Sequence, residues 1–217
     1  MKATPLDFIL CSLLMGLIGF GAYGLAAWVS CVSVSALGDY HVLADAAVFL
    51  LAYGVLSALA IRVLLKIRPF QLGEFDMDHP NFIYWKLRVM TMDVGRFVLA
   101  PFTLLALRPL FAKLYGAKIG KNIAIGGWLE DPPLVTFGDS VVIGTAACIF
   151  GSMTMNGKIF FGRVTIGNGV TIGANSVVMP DVEIGDHVLL AIGSVVLPGT
   201  RIPAGEQWRG NPARKWQ

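Results

Sequence analysis

The sequence predicts two architectures in one chain: apolar membrane-spanning helices at the front, and a wound column of short parallel strands behind. Three observations carry this reading. No charged residue lies between Asp7 and Asp39. An aliphatic or aromatic side chain recurs at every sixth position from Ile166 to Trp208. The 217 residues are 55% apolar and only 14% charged, whereas a soluble domain carries about 25% charge. That deficit argues against a simple soluble enzyme, and the apolar content excludes disorder.

The uncharged run Phe8–Gly38 exceeds the roughly 20 residues a spanning helix needs. A secretory signal has a core of about 7–15 apolar residues behind a basic start. This run is about twice as long, with only Lys2 before it, so the helix is expected to be retained. A second run, Ala46–Ile61, is extended by Val63, Leu64 and Leu65, with Arg62 able to snorkel to the interface. The link between the runs holds Asp39, His41 and Asp45 and no Lys or Arg. Arg62, Lys66 and Arg68 follow the second run, which places the rest of the chain, and the N-terminus, on the cytoplasmic side. Residues 1–68 therefore read as a transmembrane helical hairpin in an integral membrane protein.

Residues 69–118 read as interfacial or linker helices. Gly73, Asp76, Asp78 and Pro80 mark a loop. Tyr84-Trp85-Lys86-Leu87-Arg88 sets amphipathic aromatics beside cations, the composition of an interfacial helix. Phe97–Leu107 is apolar, broken by Pro101 and too short to span. Residues 62–118 hold nine Lys/Arg and four acids, a balance suited to an anionic leaflet. An amphipathic linker buried against the following domain is the alternative.

The repeat governs residues 119–217. Ile166, Ile172, Val178, Ile184, Leu190, Val196, Ile202 and Trp208 are six residues apart, with Gly next at 167, 173 and 185. An upstream set in another phase holds Ile119, Ile125, Phe137, Ile143 and Ile149. A helix wants a period near 3.6 and no recurrent glycine, and an isolated strand wants alternation at 2. A period of six instead gives a short strand, a bend where glycine lets the chain turn, and another strand. Three such faces make a coil of about 18 residues, and about five coils stack their aliphatic positions in one interior. Ile172, Ile184 and Ile202 are expected one above another. Ile149 to Ile166 is 17 residues, one short of three hexads, so the register slips there. Asn156-Gly157, between β-prone residues, predicts a hairpin loop projecting from the column.

Several function classes drop out. A net charge of +3 is too even for nucleic acid as a partner. Cys11, Cys31 and Cys148 cannot build a disulfide framework and read as reduced apolar fillers. No Cys/His metal spacing and no Gly-rich phosphate loop with Lys is present, and the glycine pairs are repeat corners rather than a dinucleotide motif.

The hexads, Ile-Gly-Asn-Gly-Val-Thr-Ile-Gly-Ala-Asn-Ser-Val-Val at 166–178 above all, resemble those of the hexapeptide-repeat acyltransferases. The resemblance implies a single-stranded left-handed parallel β-helix over 119–217, a homotrimer, and transfer from acyl-CoA to a hydroxyl or amine. Four segments, 82–88, 114–120, 134–139 and 208–214, look like the membrane-associated C-terminal β-helix region of poly-lysine-type non-ribosomal peptide synthetases. Acyl transfer needs a general base, and the family places a histidine on a loop before the coils matching 166 onwards. Here the corresponding positions are Ser152, in the poly-lysine-type register, and Asn156, in the serine-acetyltransferase-like one; both are poor bases.

Remaining candidate bases are His187, at a coil corner where neighbouring columns would meet and where Asp186 is expected to orient its ring, and His79, before the interfacial helix. His41 falls on the wrong side of the membrane. The resemblance further assigns Gly173, Ala174, Gly193 and Ser194 to backbone contacts with a pantetheine arm. It assigns Arg209, Asn211, Arg214 and Lys215 to the cationic tail that holds phosphate. With one histidine in the repeat, the zinc carbonic anhydrases of this fold are excluded, since they need three. No bound cofactor or metal is expected; acyl-CoA is the co-substrate. The expected function is a membrane-anchored, trimeric acyltransferase with a hydrophobic, lipid-linked or peptide acceptor. The alternatives are a non-catalytic trimeric scaffold or a partner subunit of a membrane biosynthetic complex.

Overall fold

A computed structural model describes residues 5–216, the side chain of Leu105 excepted. Lys2, the cation ahead of the first apolar run, lies outside the described residues. The chain forms two compact units, one made of 5–69 with 83–103 and the other of 70–82 with 104–216.

In the helical unit, α1 (Pro5–Leu37) and α2 (His41–Ile67) are joined by a 3-10 turn over Gly38–Tyr40. Gly38, at φ +54, takes the left-handed conformation that ends helices cheaply. Ser30 and Ser33 each donate a hydroxyl to the Asp45 carboxylate, at 2.7 and 2.6 Å, while Gly19 lies beside Tyr53 further along. The two helices are therefore antiparallel. Buried α1 residues are Asp7, Cys11, Ile18, Ala22, Ala26 and Ser33, a helical stripe dominated by small side chains that lets the helices approach. The large apolar residues point outward instead, Phe20 and Trp28 among them. The helical stretch Pro5–Ile67 is long and apolar enough to cross a membrane, by length and composition.

Tyr84–Arg88 lies in a third helix, α3 (Pro80–Leu99), whose portion from residue 83 packs within this unit. Its Lys86 pairs with Asp7 of α1, and Arg88 donates to the Arg68 carbonyl at 3.3 Å.

The second unit opens with a strand, Gly73–Asp76, where glycine and aspartates had suggested a loop. It pairs antiparallel with Lys158–Phe161, which pairs in turn with Ser152–Met155. The Asn156-Gly157 turn forms as expected, both residues at positive φ, +51 and +76. The hairpin does not project freely: it belongs to a three-stranded sheet. Phe70 and Phe75 pack on Phe161, with ring centroids at 5.3 and 6.1 Å. Tertiary pairing overrode weak local strand signals here.

The rest is a parallel β-helix of three faces. The first holds Ala124–Ile125, Val142–Ile143, Thr171–Ile172, Leu189–Leu190 and Gln207–Arg209, closed by the antiparallel strand Arg214–Trp216. The second holds Trp128–Leu129, Cys148–Ile149, Val177–Val178 and Val195–Val196. The third holds Val135–Phe137, Val164–Ile166, Glu183–Ile184 and Arg201–Ile202. Ile184 and Ile202 stack directly, but Ile172 does not join them. It sits on the first face between Ile143 and Leu190, because one coil is three hexads and residues six apart occupy successive faces. The core is continuous. At its ends the partly buried Ala112 of α4 (Arg108–Leu114) and Trp208 pack against it.

The glycines following each aliphatic residue are not where the chain bends. A Cβ on Gly173 would lie 2.5 Å from Ile192 N, and one on Gly185 2.6 Å from Ala204 N; these glycines permit contact between coils. The bend lies two residues later, at Gly169, Asn175, Asp181, His187, Gly193, Gly199 and Gly205, all at positive φ. Asn, Asp and Gly tolerate that region best.

Candidate functional site

Of the expected bases, His187 is exposed at the corner between the third and first faces, at φ +56. Its N–H donates to Asn168 O at 2.7 Å. Its ring lies over Gly169, where a Cβ would come within 2.5 Å of Nδ1. The expected orientation of the ring by Asp186 is absent among the described residues. Asp186 Oδ1 instead accepts from Asn168 N and Nδ2, at 2.7 and 3.2 Å. Asn168 in turn receives Asp139 N, and Asp139 receives Lys121 N. This ladder of short polar side chains ties successive coils together, which outranks a local partnership with the neighbouring ring.

His79 is the N-terminal cap of α3: its Nδ1 accepts Asn81 N–H at 3.2 Å, so the proton sits on Nε2. Its ring packs 4.9 Å from Phe75. Ser152 is buried, and its hydroxyl donates to buried Asp131 at 2.6 Å. Asn156 forms the hairpin tip. His187, His79, Ser152 and Asn156 thus occupy four different elements.

The expected cofactor residues do converge. Gly173-Ala174 and Gly193-Ser194 stand one coil apart at the corner between the first and second faces, linked by Gly193 N to Ala174 O at 2.9 Å. Val195 N donates to Gly210 O and Val195 O accepts from Ala213 N, which brings in the tail. The N–H groups of Gly173, Gly193 and Ser194 are consumed within the column. Ser194 is also buried, its hydroxyl donating to Ala191 O at 2.7 Å. Among the described residues, neither the Ala174 N–H nor that of Ile192, its counterpart one coil on, has a hydrogen-bond partner.

In the tail, Arg209 stacks over Trp216 at 4.7 Å, and Arg214 pairs with Arg209 across the antiparallel strands. Lys215 is neutralised: its Nζ lies 2.7 Å from Glu206 Oε1, while Trp208 Nε1 donates to Oε2 at 2.8 Å. Those two hydrogen bonds hold the Glu206 carboxyl below its ordinary range. Arg209 and Arg214 are the tail cations without a carboxylate partner among the described residues. Sequence reading missed Glu206 and Trp216, because each meets its cation, Lys215 or Arg209, only across the paired strands, which leaves no local signal.

On the third face a groove of about 340 Å³ is lined by Thr165, Glu183, Gly185 and Arg201 among others, and by none of the expected cofactor residues. Arg201 is paired there with Asp181 and Glu183. Among the described residues no group of His, Cys, Asp and Glu has the arrangement to hold a metal.

Residues 163–198, which lie within the β-helix, match the bacterial transferase hexapeptide family of six repeats. Among curated proteins it is similar to Delta-poly-L-ornithine synthetase from Acinetobacter baumannii (strain AB307-0294), 28% identical over 114 residues. That alignment covers 50% of this chain and 8% of the relative. Among solved structures it is similar to a hexapeptide-repeat acetyltransferase from Vibrio cholerae O1 biovar eltor complexed with acetyl coenzyme A. There the identity is 21%, the coverage 66% of this chain and 91% of that one, and the TM-score 0.48. It is similar too to a serine acetyltransferase from Brucella abortus strain S19, with 17% identity, 88% and 67% coverage and a TM-score of 0.42.

Proposed function

We propose that the protein is a membrane-anchored acyltransferase, its β-helix facing the cytoplasm, working as a homotrimer. It moves an acyl group from acyl-CoA to a hydroxyl or amine of a hydrophobic, lipid-linked or peptide acceptor. The observation that carries this reading is the corner between the first and second faces. Two N–H groups one coil apart, those of Ala174 and Ile192, are unused there, and the column leads on to Arg209 and Arg214, which have no carboxylate partner among the described residues. Such an edge suits a pantetheine amide and the phosphates of CoA. The acceptor's nucleophile adds to the thioester carbonyl, a base takes its proton, and the CoA thiolate leaves. His187 fits the base: it is exposed, and its ring has no hydrogen-bond partner among the described residues. His79 does not fit this role, since its Nδ1 lone pair is taken by the Asn81 N–H.

The apolar helices and the cations Arg62, Lys66 and Arg68 after them support the anchor and its orientation. The similarity to Delta-poly-L-ornithine synthetase supports an amine or peptide acceptor. The second face supports the trimer: its outward ladder is Trp128, Cys148, Val177 and Val195, with no charge.

Titrating the protein with acetyl-CoA and longer acyl-CoAs tests the reading. Saturation at about 100 times Kd adds about 2.7 kcal/mol of stability, and His187→Ala keeps that shift while losing turnover. Unchanged melting favours the second reading, a scaffold or partner subunit. That alternative draws on the hairpin at 152–161, which holds no histidine and whose Ser152 is tied to Asp131. Purification on this chain, followed by mass spectrometry, then identifies its companions.

A further inference from the structure

The interfacial helix expected from Tyr84–Arg88 does not lie across the end of the hairpin; it runs up its side. At one end of the packed stretch, Arg88 bonds the Arg68 carbonyl, Arg68 lies 5.2 Å over the Tyr84 ring, and Lys86 meets Asp7 near the start of α1. At the other end, the Leu99 side chain sits directly on the Cα of Gly54, in the middle of α2. Between these points α3 buries Arg88, Thr91, Met92, Gly95 and Leu99, and α2 buries Gly54, Ser57, Ala58 and Ile61. Both are helical seams, small enough on α2 for close contact. At 1.5 Å per residue, Arg68 to Gly54 is about 21 Å and Arg88 to Leu99 about 16 Å.

The apolar part of α2 runs from Ala46 to Leu65, so Gly54 falls near its centre. Resting on the reading that α1 and α2 span the membrane, we propose that α3 is a re-entrant helix that enters from the cytoplasmic side and stops near the bilayer midplane. The helix ends at Leu99 and passes into a 3-10 segment, Ala100–Phe102, that holds Pro101. Non-helical backbone at that depth must be satisfied internally, and two bonds contribute to this: Thr103 Oγ1 donates to Leu99 O at 2.7 Å and Thr103 N to Ala100 O at 3.1 Å. Phe97, 81% exposed, becomes a lipid-facing side chain. Asp93 and Arg96, paired at 3.4 Å, lean toward the helix N-terminus as helical side chains do, which here is toward the headgroups.

Spin labels on the full chain in phosphatidylcholine/phosphatidylglycerol vesicles test this, with the three native cysteines first replaced by alanine. Single cysteines go at Leu17, Val55, Met90, Phe97 and Lys113, all exposed, and accessibility to oxygen and to an aqueous nickel chelate gives depth. Phe97 is expected to lie near the depth of Val55 and about 10 Å deeper than Met90, seven residues earlier, while Lys113 stays open to nickel. If Leu17 and Val55 are embedded but Phe97 is as nickel-accessible as Lys113, α3 is not re-entrant and the proposal falls alone. If Leu17 and Val55 are also open to nickel, the spanning reading has failed and the proposal falls with it.

Discussion

The two units use apolar residues in opposite directions. In the column, Ile166, Ile184 and Leu190 point inward and are fully buried; in α1, Leu13, Leu17 and Phe20 point outward and small residues face the neighbour. A column in water hides its large side chains, whereas a helix in hydrocarbon gains nothing by hiding them and packs through small ones instead. Glycine serves close approach in both units, between coils at Gly173 and Gly185 and beneath Leu99 at Gly54.

The sharpest way to break this comparison is a pair of truncations. Ile184→Ala, 2% exposed, is expected to cost about 2–5 kcal/mol, whereas Leu17→Ala, 70% exposed, stays within about 0.5 kcal/mol. Urea unfolding in detergent checks both; equal losses would mean that α1 packs like a soluble helix. A smaller contrast separates two kinds of glycine. Gly185→Ala drives a methyl against the Ala204 backbone and costs about 1–3 kcal/mol. Gly193→Ala has nothing within 4 Å but keeps φ +70, so it costs about 1 kcal/mol.

The smallest effect is acid loosening of the tail. The Glu206 carboxyl is lowered from 4.5 by hydrogen bonds from Lys215 and Trp208. A depressed folded value stabilises above the unfolded one, so the contribution is complete above pH 4.5 and fades as pH falls through the lower folded value. Amide exchange at 207–216 is expected to quicken over that window in the natural chain and not in Glu206→Gln.

The column was legible in the sequence because its period is long and strict. Eight hexads cannot be mistaken for a helix, and Asn156-Gly157 announced its hairpin. What was not legible depends on chain segments distant in sequence. The strand Gly73–Asp76 exists only because Lys158–Phe161 offers it an edge. The bend was placed at the glycines after each aliphatic residue, since composition shows a missing Cβ but not whether it serves torsion or contact. Gly173, Ala174, Gly193 and Ser194 share one corner, yet only geometry shows that Ser194 faces inward and that Glu206 quiets Lys215. Asp186 was paired with its sequence neighbour His187, although its oxygen is spent on the coil below.

The left-handed corners carry one more consequence. Seven successive bends, 169 to 205, are filled by Gly, Asn, Asp or His, and the backbone asks of each only that it accept a positive φ. A ring such as that of His187 fits such a vertex when the vertex one coil away is glycine, as Gly169 is, since a Cβ there would come within 2.5 Å of Nδ1. Side chain and winding are therefore separable at these vertices, within the room that the neighbouring coil leaves.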